Sequence, residues 1–142
     1  MELAIKQAFI AKDNGEVPIG AVLVHNGKIV AQSGNLTIAQ SDPTAHAEIN
    51  VIRERCNELG DQRIPDHDLY VTLEPCPMCA AAISNARIRR VVFGAYDPKG
   101  GGVDHGAKIF THDTCHHKPE AIGGVMEQTC ADILKDFFEG KR

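Results

Sequence analysis

The apolar positions of this 142-residue chain change period several times along its length. Over residues 3–13, Ala4, Ile5, Ala8, Phe9 and Ala11 fall near helical spacing, and Gly15 suits a stop just past the helix end. Ile19 to Val24 is a continuous apolar run, followed by Asn26-Gly27 and then Lys28 to Ala31. That pattern predicts a β-hairpin, because Asn-Gly suits a type I′ turn. Asp42-Pro43 reads as an N-cap followed by proline at the first helical position. The helix it opens runs to about Leu59, with Gly60 after it and Ile49, Ile52 and Cys56 on its inner face.

Asp68 to Leu73 reads as a buried strand that runs into Pro75-Cys76-Pro77-Met78-Cys79, with Ala80 to Ala86 continuing as a helix. Arg90 to Ala95 is another strand, and Asp97 to Gly102 is a flexible, glycine-rich loop. Residues 103–118 mix their signals, with a short helix around Lys108 as one reading. Ala121 and Ile122 form a last short strand. Cys130 to Phe138 is a terminal helix, with Ile133, Leu134, Phe137 and Phe138 at i, i+1, i+4 and i+5. Strands and helices in this order imply an α/β fold, a mixed sheet with helices on both faces.

Length and composition narrow the class. The size fits one domain spanning residues 1–142. The 43% apolar and 24% charged content is that of a soluble globular protein, and the absence of Trp implies an aliphatic core. No stretch approaches the ~20 apolar residues that span a bilayer. Met1 to Lys6 lacks the basic-then-apolar order of a secretory signal. Five cysteines without a framework spacing favour a reducing cytosol. The net charge is −4, which does not announce a nucleic-acid binder. Residues 87–142 nevertheless hold 9 Lys/Arg against 8 Asp/Glu, while residues 1–86 hold 6 against 11. A basic surface in the second half and scattered solvated charge fit these counts equally.

The chemistry concentrates in two segments, His46-Ala47-Glu48 and Pro75-Cys76-Pro77-Met78-Cys79. They supply an imidazole, two thiols and a carboxylate. A closed structural zinc site uses four protein ligands, whereas a hydrolytic site keeps one position open. Three ligands, His46, Cys76 and Cys79, therefore point to hydrolysis. Water in such a site loses a proton near neutral pH, and Glu48 is the natural proton carrier beside it. Cys-x-x-Cys alone fits a metal and a redox pair about equally. The upstream His-x-Glu and the preceding proline shift the balance to metal. A helix N-terminus at Cys76 would also favour thiolate. Residues i and i+2 do not share a face in the body of a helix. His46 and Glu48 can converge only at a helix start. Cys56 lies about 15 Å along the helix from His46, too far for a fourth ligand.

His-x-Glu followed by Pro-Cys-x-x-Cys is the signature of zinc-dependent nucleobase deaminases. Nearly the whole chain resembles the bacterial tRNA-specific adenosine deaminases of the cytidine deaminase-like superfamily. Similar segments are Glu16 to Val24, Thr44 to Glu48, Leu69 to Cys76, Arg87 to Ala95, Asp97 to Gly101, and Asp136-Phe137-Phe138 with Arg142. The resemblance implies a three-layer α-β-α, cytidine deaminase-like fold on a mixed five-stranded sheet. It implies one zinc ion held by His46, Cys76 and Cys79, with Glu48 shuttling protons. It places Asn35, on the second strand, and Ala47 against the base, and Asp97 and its loop towards RNA. Phe138, Lys141 and Arg142 would line the nucleic-acid side, Phe138 lying within one turn of the two cations that close the terminal helix. It further implies a cytoplasmic homodimer, without membrane association, that acts on the tRNA anticodon loop and converts adenosine to inosine at the first anticodon position. The segment 102–117 departs from the family pattern, lacking its usual Gly-Ser-Leu. Within it, Cys115-His116-His117 could be a second metal site, although a loop facing RNA or solvent is the favoured reading. Deamination of a free base or nucleoside (guanine, cytosine or cytidine) is the alternative within enzymes. A zinc-stabilised RNA-binding module is the alternative outside them, and Glu48 argues against it, since a purely structural site has no use for a carboxylate that is not a ligand.

Overall fold

A computed structural model describes residues 1–141. The Arg142 expectation lies outside the described residues. Helix α1 spans Glu2–Asp13 and buries Ala4, Ile5, Ala8 and Ala11. Strands β1 (Gly20–His25) and β2 (Lys28–Gly34) form the expected hairpin. Asn26 and Gly27 both have positive φ, as a type I′ turn requires. Helix α2 is Ala47–Leu59, β3 is His67–Leu73, α3 is Pro77–Asn85 and β4 is Arg90–Ala95. A 3₁₀ turn at Ile109–Thr111, a short β5 at Glu120–Ile122 and α4 at Glu127–Glu139 complete the described chain.

The sheet order is β2-β1-β3-β4-β5. Strand β1 is antiparallel to both β2 and β3, while β3, β4 and β5 run parallel, so the sheet is mixed. Interior strands β1, β3 and β4 are largely buried, in keeping with their continuous apolar runs; β5 is an exposed edge. Helices α2 and α3 cover one face over Leu23, Leu69, Val71, Val91 and Phe93. Helices α1 and α4 cover the other, around Ile5, Ala95, Cys130 and Ile133. That second layer sits close to the sheet because glycines face it. A Cβ on Gly20 would strike the α1 backbone, and one on Gly94 would strike Cys130.

Several boundaries differ from expectation, α3 among them, which starts at Pro77 and not at Ala80. Helix α2 starts at Ala47, not after Asp42-Pro43, and His46 is its extended N-cap. The Asp42 carboxylate instead accepts from Thr44 N at 2.8 Å and Thr44 Oγ1 at 2.7 Å, closing a turn. An Asp side chain serves either purpose, and the φ of about −65° that proline fixes suits the turn as well as a helix start. Strand β2 runs to Gly34, and Asn35 lies one residue beyond it. Helix α4 begins three residues earlier than Cys130.

Candidate active site and metal centre

Two helix starts meet at the site. His46 precedes α2 with ψ 152°, and Cys76 precedes α3 with ψ 171°. Extended backbone at both N-caps turns their side chains off the helix ends and towards each other. Cys79 lies two residues past Pro77 and is fully buried. His46 Nδ1 sits 3.4 Å from Cys79 Sγ and 3.7 Å from Cys76 Sγ. Among the described residues, these three side chains form the group of His, Cys, Asp and Glu close enough to hold one ion, with ligand atoms within 4.8 Å of one another. A tetrahedral zinc with bonds of about 2.0–2.1 Å to nitrogen and about 2.3 Å to sulfur sets nitrogen and sulfur about 3.5 Å apart. The donor set and its spacing fit zinc.

Electrostatics agree with that geometry. A hydrogen bond from the Cys79 thiol, with the His46 ring beside it, holds the Cys76 thiol down at about 4. Sharing that proton with Cys76, and then burial, push Cys79 up. The Cys76 sulfur raises His46. The protons crowded among these donors are those a divalent cation displaces. Glu48, in the first turn of α2, is buried at 4% exposure. Burial raises its pKa, and the Cys76 thiolate adds to the rise. A buried carboxyl raised in this way suits proton transfer near neutral pH.

A cavity of about 270 Å³ opens beside these groups, lined by Ile19, Leu73, Glu74, Asp97 and Gly100 as well as His46, Glu48 and Cys76. Asn35 is buried, and its Oδ1 accepts from Ala47 N at 2.9 Å. That bond fixes the asparagine against the start of α2 and occupies Ala47's backbone donor. Asp97 is on the cavity wall. Its own carboxylate accepts from Lys99 N and Gly100 N, shaping the loop.

Phe138 is 52% exposed and lines an adjoining groove with Val17, Tyr96 and Leu134, a groove that shares Ile19, Leu73 and Asp97 with the cavity. Lys141 is within a turn of Phe138, its N donating to the Phe138 carbonyl at 3.2 Å, while its Nζ stands 4.9 Å over the Phe137 ring. One helical residue separates the two rings by about 100° of rotation, and the lysine reaches the inner one. The Cys115-His116-His117 segment does not gather as a metal site. Cys115 Sγ pairs with Ser84 Oγ and the His117 carbonyl, while His117 Nε2 donates to the Ile88 carbonyl. His116 is exposed, in line with the solvent-facing reading.

Two buried carboxylates, Glu16 and Glu74, carry structure that sequence reasoning missed. Both sit in motif segments, but most of their partners are backbone N–H groups, which leave no compositional trace.

The family model described as the cytidine and deoxycytidylate deaminase zinc-binding region matches residues 1–95. A tRNA-specific adenosine deaminase of Agrobacterium fabrum (strain C58 / ATCC 33970) is 57% identical over 142 residues, covering 100% of this chain and 93% of the relative. A solved structure from studies of A-to-I editing by tRNA:A34 deaminases at the wobble position of transfer RNA superposes with a TM-score of 0.93. It is 57% identical and covers 94% of this chain and 97% of that one. A guanine deaminase structure from Bacillus subtilis aligns less completely, with TM-score 0.65 and 41% identity over 67% of this chain and 61% of that one. With its paired helix starts, its His-Cys-Cys group and this similarity over its whole length, the chain belongs to the tRNA-specific adenosine deaminase family of zinc-binding deaminases.

Proposed function

We propose that this chain, acting as one deaminase domain, hydrolyses adenosine to inosine at the first anticodon position of tRNA and releases ammonia. The observation that carries the reading is the buried Glu48 carboxyl at the cavity wall beside His46 and Cys76. His46, Cys76 and Cys79 hold one zinc ion per chain. Zinc bound there supplies Lewis acidity and makes water nucleophilic near neutral pH. Glu48 accepts the proton of the attacking water and delivers it to the ring nitrogen and then to the departing amine. Water adds at carbon 6 of the purine, and the bond from that carbon to the exocyclic nitrogen breaks. Asn35, anchored through Oδ1, keeps its amide N–H groups free to donate to the base. Ala47 supplies the floor against which that asparagine rests. Ile19 and Leu73 are apolar walls for a flat heterocycle.

An anticodon loop presents a base already unpaired, so little energy is needed to extrude it. Asp97 with its loop, Phe138 and Lys141 lie on the tRNA side of this reading, and Arg142 is assigned to it from the sequence alone. The protein works as a cytoplasmic homodimer. None of the described helices is long and apolar enough to cross a membrane. The test is to incubate the purified protein with tRNA bearing adenosine at the first anticodon position and to assay for inosine. Cys79→Ala should lose both zinc and activity. Rapid turnover of free guanine, cytosine or cytidine with none on tRNA would replace this reading with the free-base one.

A further inference from the structure

The cavity wall formed by Asp97 and Gly100 belongs to a loop, residues 97–108, with no regular secondary structure. Besides the turn that the Asp97 carboxylate closes, one side chain from outside the loop gathers it. The Glu74 carboxylate is fully enclosed and accepts five hydrogen bonds from this loop. Oε1 accepts from Asp97 N at 3.1 Å and pairs with His105 Nδ1 at 2.8 Å. Oε2 accepts from Val103 N, Asp104 N and His105 N at 3.0–3.2 Å. The wrap leaves no room for side chains on its inner turn. A Cβ on Gly101 would strike Glu74 Oε2, and one on Gly102 would strike the Cys76-Pro77 backbone. His105 also lies edge-on to Tyr96, at 5.8 Å between ring centroids, and Tyr96 lines the neighbouring groove with Phe138. Segment 97–105 thus forms a wall of both the cavity and the groove, and Glu74 is the template on which it is folded.

We propose that Glu74, with His105 as its side-chain partner, is a positioning residue for the substrate. It holds Asp97 and Tyr96 where a polynucleotide must seat, and it takes no part in moving protons. The proposal rests on the tRNA reading above. His105 adds a side-chain donor to a carboxylate otherwise held by backbone.

Glu74→Gln tests it. An amide can still accept on one side, but on the other it sets N–H against the donors of Asp97 and His105. The KM for tRNA should rise about tenfold, the factor that one lost charge-assisted hydrogen bond corresponds to. The kcat should stay within about threefold, the pattern of lost uniform binding. Zinc should remain at one per chain. Hydrogen exchange should accelerate over 97–105 and not over the first turns of α2. His105→Ala should raise KM less, and His105→Asn, which keeps a donor near the Nδ1 position, should return it towards the parent value. A fall in kcat with unchanged KM would place Glu74 in the chemistry and overturn the proposal. Loss of zinc or of melting temperature with unchanged KM would make it a purely structural group and also overturn it. If the parent protein forms no inosine in tRNA, the functional reading fails separately, and unchanged exchange over 97–105 would then sink the pinning as well.

Discussion

Glu48 and Glu74 border the same cavity and are about equally buried, yet burial leads them to opposite states. Burial raises Glu48, the Cys76 thiolate raises it further, and the few donors near it do not compensate. Burial also pushes Glu74 up, but the N–H groups of Asp97, His105 and Val103 and the His105 ring together pull it below its ordinary value. Burial alone therefore does not make a carboxylate a proton carrier; a scarcity of donors does. A carboxylate saturated with backbone donors is an anchor. One that is short of them at a cavity wall can change protonation state at modest cost.

The largest expected effect separates the two directly. Glu48→Gln should keep zinc and tRNA affinity while kcat falls by at least the ~10²–10⁴-fold typical of general acid–base catalysis. Measured beside Glu74→Gln, it should give the complementary kinetic pattern, with kcat lost and KM kept. Near-full activity in Glu48→Gln would break the comparison, and loss of zinc would show that the carboxylate supports the metal.

Further out, the groove that Glu74 helps to wall ends at Phe138. Base stacking on an aromatic ring contributes about 1–3 kcal/mol per base. Phe138→Ala should raise the dissociation constant for tRNA by the corresponding factor and leave the melting temperature nearly unchanged, since the ring is more than half exposed. A large fall in melting temperature with unchanged affinity would make Phe138 a packing residue. Lys141→Ala should weaken binding less, because that cation stands over Phe137.

Glu16 extends the comparison to a buried carboxylate remote from the metal group. Oε1 accepts from Thr37 Oγ1 and Ile38 N, and Oε2 from Ala39 N. Burial works to raise its pKa, but these donors outweigh burial and lower it. Glu16 should therefore behave like Glu74. Glu16→Gln should cost about 1–3 kcal/mol of stability at neutral pH, the range for leaving a buried donor unsatisfied. A depressed carboxylate stabilises the fold above its unfolded-state value of about 4.5, and that contribution is lost as pH falls through the lower folded value. The stability gap between parent and Glu16→Gln should accordingly narrow below pH 4.5. A gap that is constant with pH would mean that the donors hold no charge there.

How much of this was readable in the chain depends on the kind of interaction. The Asn26-Gly27 hairpin is local, and both residues declare it through their tolerance of positive φ. The metal group was legible because ligand chemistry restricts residue type, so His46, Cys76 and Cys79 stand out even though 30 residues separate the two segments. Asp42-Pro43 was misread because capping a turn and capping a helix demand the same side chain. Glu74 was visible in its motif but not in its role, since four of its five partners are main-chain N–H groups of Asp97, Val103, Asp104 and His105, where side-chain identity hardly matters. For the same reason residues 103–105 gave no clear period: they are organised around a carboxylate outside their own segment.

The smallest expected effect asks whether the same rule holds for a base. His67 opens β3 at 2% exposure, at the opposite end of that strand from Glu74. Its Nδ1 is 2.9 Å from the Pro65 carbonyl, which can only accept, so that nitrogen carries the hydrogen. Arg55 Nε then donates to Nε2 at 3.0 Å, while Arg55 Nη1 reaches Glu58 at 3.4 Å. The His25 ring is stacked on His67 at 4.2 Å, with Arg55 Nη2 3.3 Å from its Nδ1. Both nitrogens of the neutral His67 ring are thus satisfied, and a second ring proton would point at the arginine's own N–H. Burial first, with His25 and Arg55 adding to it, depresses His67 below 6.5, although the Pro65 carbonyl works the other way. The sign follows from proton uptake: as pH falls below 6.5 the unfolded chain protonates this histidine before the folded one does, so stability declines until the folded value is passed. His67→Gln, which can keep a carbonyl acceptor for Arg55, should flatten denaturant-measured stability between pH 6.5 and the onset of carboxylate titration near 4.5. An unchanged slope in that window would show that the paired ring nitrogens do not set its charge state, and the donor rule drawn from Glu48 and Glu74 would then be confined to acids.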